Sequence, residues 1–284
     1  EIGVRLVGSE MCIRDSACAY AHFLTYGLKL AKREKYEINM ADMGTIYHKC
    51  LELFSAEMLR QNYDYRTITD VERNSLVDKC VTEITENYEN MILKSSKRNE
   101  YLIRKIKSVC RKTVWAMCEH VKRGDFTPQE FEFAFKEGRI DRVDTYETSD
   151  KVYVKIIDYK SGNTSFSLVN LYHGLQLQLV VYMNAALELE EKRHPGKKAE
   201  PAGIFYYHIQ NPIVDGLGNE TEAEIRNSVL EQLKLNGLVN DDPEIYEAMD
   251  SDFAGNSSVI PIGKKTDGSL KATSKVASTY DFSV

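Results

Sequence analysis

Apolar residues recur along this chain with two different periods, and the change between them divides it. From Asp42 to Leu59 the positions Met43, Ile46, Tyr47, Cys50, Leu51, Phe54 and Met58 keep i, i+3, i+4, i+7 spacing. That is the stripe of an amphipathic helix, with Asp42 as its N-cap. A shorter helical pattern runs from Ala19 to Leu30, and longer ones cover roughly 69–93 and 99–122. At Asp125-Phe126-Thr127-Pro128 the period changes to two. Glu130–Phe135 alternates as a strand, Gly138 marks a turn, and Arg139–Tyr146 and Val152–Lys160 read as two further strands, closed by Ser161-Gly162-Asn163. Leu168–Leu189 reads as one helix packing through Leu175, Leu179 and Val180, and Gly203–Ile209 as an apolar strand after Pro201. Beyond Asn211 the signal thins. Thr221 and Glu224 have capping-box spacing for a helix over Thr221–Leu235, and 256–284 looks loop-rich.

These elements predict an α/β fold: a mixed central sheet with flanking helices, preceded by a helical region. The expected organisation is a helical segment over 17–125, a strand-rich core over 126–210 and a C-terminal extension over 211–284 that ends abruptly. Residues 1–16 fit poorly with the rest of the chain and are expected to be a non-native leader.

Composition changes this picture in three ways. A length of 284 residues with 43% apolar content can bury one sizeable core or two small ones. The net charge of −6 is uneven: residues 94–123 carry +8, leaving −14 elsewhere, so a basic helical face could track phosphates. Arg104, Lys105 and Arg111 are its candidate DNA contacts, against the bland reading of a solvated helix surface. The six cysteines are scattered with no C-x-x-C pair, and Cys50, Cys80, Cys110 and Cys118 fall in helical patterns. Reduced, buried thiols and the absence of a signal-peptide core or membrane-length apolar run suit a cytoplasmic protein.

The chemistry concentrates between Gly138 and Gly162. Asp141 stands among apolar residues in one strand, where an ionised group must be paired or metal-bound. Arg139 or Arg142 could pair with it. Asp158 and Lys160 share a face of the next strand, roughly 7 Å apart along it. They could be a simple ion pair. They could also be a metal-binding carboxylate with a lysine that positions or helps deprotonate water. Glu132 alternates with Phe131, Phe133 and Phe135, so a solvated strand face explains it as well as a ligand role does. His48 is a lone helical histidine whose imidazole tolerates manganese or magnesium. Gln178 and Tyr182, four apart, share a helix face and could orient the lysine or a phosphate.

In this order the motifs Gly44-x-x-x-His48, Glu132, Gly138-Arg-Ile-Asp141, Asp158-Tyr159-Lys160 and Gln178-x-x-x-Tyr182 resemble the PD-(D/E)XK nuclease superfamily. They look most like the RecB-type nuclease domains of AddB-like helicase–nuclease subunits, and the likeness spans 17–284. The resemblance implies a restriction-endonuclease-like core and a magnesium (or manganese) site made by Asp141, Asp158, the Tyr159 carbonyl, His48 and Glu132. Lys160 would position or activate water, with Gln178 and Tyr182 in support. It implies a metal-dependent deoxyribonuclease acting on single-stranded DNA in break repair beside an AddA-like subunit. Cys18 resembles the first ligand of that family's 4Fe-4S cluster. The later three ligands are absent, so the cluster is expected to be incomplete here. No Gly-x-x-x-x-Gly-Lys-Ser/Thr loop occurs, so no ATP is expected to bind. A CRISPR-adaptation-type 5′ exonuclease and a non-catalytic DNA-binding module of the same fold remain alternatives.

Overall fold

The computed structural model describes residues 20, 23–29, 40–87, 97–136, 138–214, 220–251 and 253–282. Cys18 and the expected leader lie outside them. The chain forms two units, Glu1–Ile38 and Asn39–Val284. In the first, Phe23–Gly27 is a short π-helical turn within the predicted 19–30 helix.

The second unit begins with three helices: α1 (Met40–Arg60), α2 (Asp70–Asn87) and α3 (Lys97–Lys122). Asp42 lies inside the first turn of α1 and not at the cap. There its carboxylate still suits the positive end of the helix dipole. Thr69 and Glu72 cap α2 reciprocally: Thr69 Oγ1 accepts from Glu72 N (3.3 Å) and the Glu72 carboxylate accepts from Thr69 N (3.1 Å).

Six strands make one sheet in the order β1 (Thr127–Phe135), β2 (Gly138–Glu147), β3 (Lys151–Lys160), β4 (Lys198–His208), β5 (Asn236–Asn240) and β6 (Val276–Ala277). β1, β2 and β3 form an antiparallel meander, and β4 lies parallel to β3. A parallel neighbour needs a long crossover. It is supplied by α4 (Leu168–Tyr172) and α5 (Gln178–Arg193). After β4 come α6 (Glu222–Gln232), with the expected capping box at Thr221 and Glu224, and α7 (Pro243–Met249).

The sheet is covered on both faces. Val154 and Ile156 of β3 pack with Leu179, Met183 and Ala186 of α5. Strand alternation sends Tyr159 to the other face, where its hydroxyl meets Met117 Sδ of α3 at 3.6 Å. His120 of α3 stands edge-on to Tyr207 of β4. Among the described residues no helix is long and apolar enough to cross a membrane.

Three expectations need correction. The predicted 168–189 helix is two helices. Ser167 caps α4, Gly174 adopts φ +73 and reverses the chain, and Leu175 is left 74% exposed. β4 begins at Lys198, so Pro201 lies inside it. The β3–β4 register shifts there, pairing Val154 with Pro201 and Lys155 with Gly203, and proline is tolerated at such an irregularity. The loop-rich C-terminal stretch contains β6 and a 3-10 turn, Thr279–Phe282. Neither β5 nor α7 is signalled in the sequence. Both are short, and Asn236-Gly237 and Asp242-Pro243 read as turns.

Candidate metal centre

β2 positions Asp141 by breaking its own alternation. Ile140 and Val143, three apart, both lie in the core under α5, so the strand is irregular between them. The β2–β3 ladder stops at Arg142 opposite Ile157. Where it stops, the Asp141 side chain takes over: Oδ2 accepts the Tyr159 backbone N–H at 2.6 Å. Arg142 does not pair with Asp141. It turns to the helical face and donates to Asp144 from Nε (2.5 Å) and Nη2 (2.8 Å).

Glu132 is similarly displaced. The cross-strand partners jump from Phe131↔Arg142 to Phe133↔Ile140, and Glu132 between them holds φ +51. Its side chain is 9% exposed, so the solvated-face reading fails. The neighbouring Glu130 instead pairs with Arg193 at the rim.

α1 brings His48 to these carboxylates. Gly44, one turn earlier, permits the approach, because a Cβ there would stand 2.9 Å from Ser161 Oγ at the end of β3. His48 Nδ1 lies 3.5 Å from Asp141 Oδ1 and 3.6 Å from Glu132 Oε1. One ligand atom from each of the three residues falls within 4.8 Å of the others. Asp158 and Lys160 face the same cavity, about 430 Å³, with His48, Asp141, Gln178 and Tyr182. Tyr159 reaches it only through its backbone.

The lysine is tightly held. Nζ lies 2.6 Å from Asp158 Oδ2 and donates to Gln178 Oε1 at 3.1 Å. Gln178 Nε2 in turn donates to Tyr182 Oη at 2.8 Å, and Nζ stands 5.2 Å from the centre of the Tyr206 ring. The Asp158–Lys160 ion pair therefore exists, inside the cluster and not as an alternative to it.

Two pKa shifts reflect the crowding of charge. Burial works against a protonated His48, but the hydrogen bonds and charges of Asp141 and Glu132 overcome it and raise its pKa to about 10. Burial, then the Asp141 charge, pushes Asp158 up to about 6 against the pull of Lys160 and His48. A positive charge is thus favoured among these carboxylates. Carboxylate oxygens with one imidazole suit a hard divalent cation, which would require His48 neutral.

Of the expected DNA contacts, Arg104 and Lys105 are exposed on α3. Arg111 is committed to Asp78 of α2, with Nε to Oδ1 at 2.8 Å. Sequence reasoning did not identify Arg139 as part of the site. It pairs with Glu132 Oε2 at 2.7 Å and lines both the main cavity and a second one of about 470 Å³ beside Gly44. Its place two residues before Asp141 was the available signal. Tyr206 left none, since only the β3–β4 pairing brings it beside Lys160.

A sheet with its acidic residues gathered at the ends of β2 and β3, a lysine beside them and helices on both faces defines a class. Residues 16–259 match the PD-(D/E)XK nuclease superfamily, and the chain belongs to it. Within it, the chain is similar to the B-type subunit of the ATP-dependent helicase/deoxyribonuclease of Lachnoclostridium phytofermentans, 40% identical over 97% of this chain and 25% of that protein. It is 34% identical to the same-named protein of Alkaliphilus metalliredigens over 95% of this chain and 25% of that one. A Clostridium botulinum relative is 35% identical over 94% and 25%. The chain spans about a quarter of the length of these relatives.

Proposed function

We propose that this chain is the nuclease domain of an AddB-like subunit and hydrolyses DNA phosphodiester bonds with a divalent cation, magnesium or manganese. The observation that carries this reading is the convergence of His48, Glu132 and Asp141 within 4.8 Å, in the wall of the cavity that holds Asp158 and Lys160. The cation would be held by Asp141, Asp158, the Tyr159 carbonyl, His48 and Glu132. Bound there, it supplies Lewis-acid stabilisation of charge on the phosphate and the leaving oxygen.

The remaining work falls to side chains. Lys160 faces the cavity with its ammonium fixed by Asp158 and Gln178, so its third N–H can hold a water against the phosphorus. Tyr182 locks Gln178 in the amide orientation that accepts from the lysine. Arg139, exposed at the rim, is placed to meet a phosphate oxygen. Arg104 and Lys105, with Arg111 beside them, form the candidate wall that a single strand follows.

The relatives' shared name supports a partner of the AddA type and a role in break processing. The free thiols of Cys50, Cys80, Cys110 and Cys118 suit a reducing cytoplasm. Cys18 as a 4Fe-4S ligand in a longer polypeptide belongs to the same reading, and iron content of that polypeptide tests it.

The test of the nuclease reading is digestion of end-labelled single-stranded DNA with magnesium, manganese or EDTA. Cleavage should need the metal and should fall at least about a hundredfold in both Asp158→Ala and Lys160→Ala, on the order of the loss expected for a positioned catalytic group. Cleavage that survives either substitution would exclude this site. Metal binding by calorimetry should be lost in Asp158→Ala and kept in Lys160→Ala.

A further inference from the structure

Away from the metal centre, α2, α3 and α6 enclose a cavity of about 240 Å³. Arg73, Arg111, Lys112 and Arg226 line it with the indole of Trp115, and its described lining contains no acidic side chain. The acids stand behind and fix the cations. Asp70 accepts from Arg73 at 2.9 Å and from Arg226 at 2.7 Å, and Asp78 holds Arg111. Arg226 also lies 5.7 Å over the Trp115 ring.

Two of these residues carry buried donors with no partner in the described structure, Arg73 Nε and Trp115 Nε1. Arg73 is 3% exposed and Trp115 8%. Buried N–H groups are almost always hydrogen-bonded in folded proteins. A concavity offering only donors and positive charge is complementary to an anion. Its volume is below the ~300–1,000 Å³ of sites for drug-sized ligands.

The cavity is also tied to the metal-centre end of the sheet. Ile209 N donates to the Lys160 carbonyl at 2.9 Å, and Lys112 Nζ donates to the Pro212 carbonyl at 3.3 Å. Only about 10 Å of extended chain can separate Ile209 from Pro212. On α3, Arg104, Arg111 and Trp115 fall at i, i+7 and i+11, one stripe of the helix leading to the cavity.

We propose that this cavity binds a backbone phosphate of the DNA strand, a second contact point that fixes the strand relative to the metal centre. The proposal rests on the nuclease reading for its ligand. Its test does not need hydrolysis. Trp115 is the only tryptophan of the chain, so its fluorescence reports on the cavity directly. Oligo(dT) titrated in EDTA should give a saturable change. Lys112→Gln and Arg226→Gln should each weaken oligonucleotide binding on the order of tenfold, the size of one charge-assisted contact. Each should also reduce the slope of log affinity against log salt by about 0.7, one phosphate on a single strand.

Unchanged affinity and slope in both variants would overturn the proposal. So would a fluorescence response to inorganic phosphate or to polyglutamate that oligo(dT) does not reproduce, since the cavity would then serve a free anion or an acidic protein. Retained binding with no metal-dependent cleavage would remove the nuclease reading and leave the cavity. Cleavage with no cavity response would do the reverse.

Discussion

Glu132 shows what a single residue can give up for a site. It holds φ +51 in the middle of a strand, in the left-handed region that a side chain with a Cβ enters at a cost of about 1–2 kcal/mol. The surrounding ladder holds it there, and the result is a carboxylate aimed at His48 and Asp141 instead of at solvent. Glu132→Gly should therefore be more stable than Glu132→Ala by about 1 kcal/mol, the reverse of the usual order in a strand interior, with metal binding weakened in both. Urea unfolding of the pair measures this, and an alanine variant equal to or more stable than the glycine variant would contradict it. The sequence marks Glu132 only by its place between phenylalanines. Alternation, the one rule available to a reader of the sequence, points it the wrong way.

The β2–β3 pair carries charge on both faces, and the two sets are put to different uses. On the cavity side, Asp141 and Asp158 line a space open to a cation. On the helical side, Arg142, Asp144 and Lys155 are buried together, with Lys155 Nζ 2.9 Å from Asp144 Oδ2 and 4.9 Å from the centre of the Phe126 ring. The Asp144 carboxyl is desolvated, but the two cations outweigh that and hold its pKa below the ordinary carboxylate value. Removing its charge strands two buried cations. Asp144→Asn should cost about 3–5 kcal/mol in denaturant unfolding, whereas a loss under about 1 kcal/mol would mean that solvent reaches the cluster. In Gly138-Arg-Ile-Asp-Arg-Val-Asp the three charges after Ile140 look alike as a string of residues. The break in alternation at Asp141 and Arg142 decides which acid serves the cavity and which serves the core. The helix break at Gly174 is similar: the apolar spacing of 168–189 suits a continuous helix, and the glycine's positive φ, which the pattern does not encode, reverses the chain so that Gln178 starts a new helix beside Lys160.

For the molecule as a whole, stability should fall as the pH is lowered, partly through His120. This residue is buried between α3 and β4, and desolvation first, then the charges of Lys155 and Arg142, lowers its pKa to about 3. An unfolded histidine titrates near about 6.5. Between those values the unfolded chain binds a proton that the folded chain refuses, so unfolding is favoured as pH drops. This contribution is intact above about pH 6.5 and is lost progressively toward about pH 3. His120→Phe should flatten the acid limb of a stability–pH curve by up to one proton. An unchanged slope would show that His120 is protonated in the folded state.

The order of elements, the capping boxes, the switch from helical to strand period and the motif residues themselves were written in the sequence. Local propensity and the spacing of apolar residues express all of these within a few turns of chain. From the same local signals, the superfamily could be recognised by the order in which His48, Glu132, Asp141, Asp158, Lys160 and Gln178 occur. What the tertiary structure decided is everything that depends on contacts distant along the chain: that Glu132 turns inward, that Arg139 pairs with it and not with Asp141, that Tyr206 stands beside Lys160, and that Arg73, Lys112, Trp115 and Arg226 share one cavity. The reason is physical. Strand irregularities, sheet register and helix packing set the direction of each side chain, and these are fixed by neighbours that sequence spacing alone does not name.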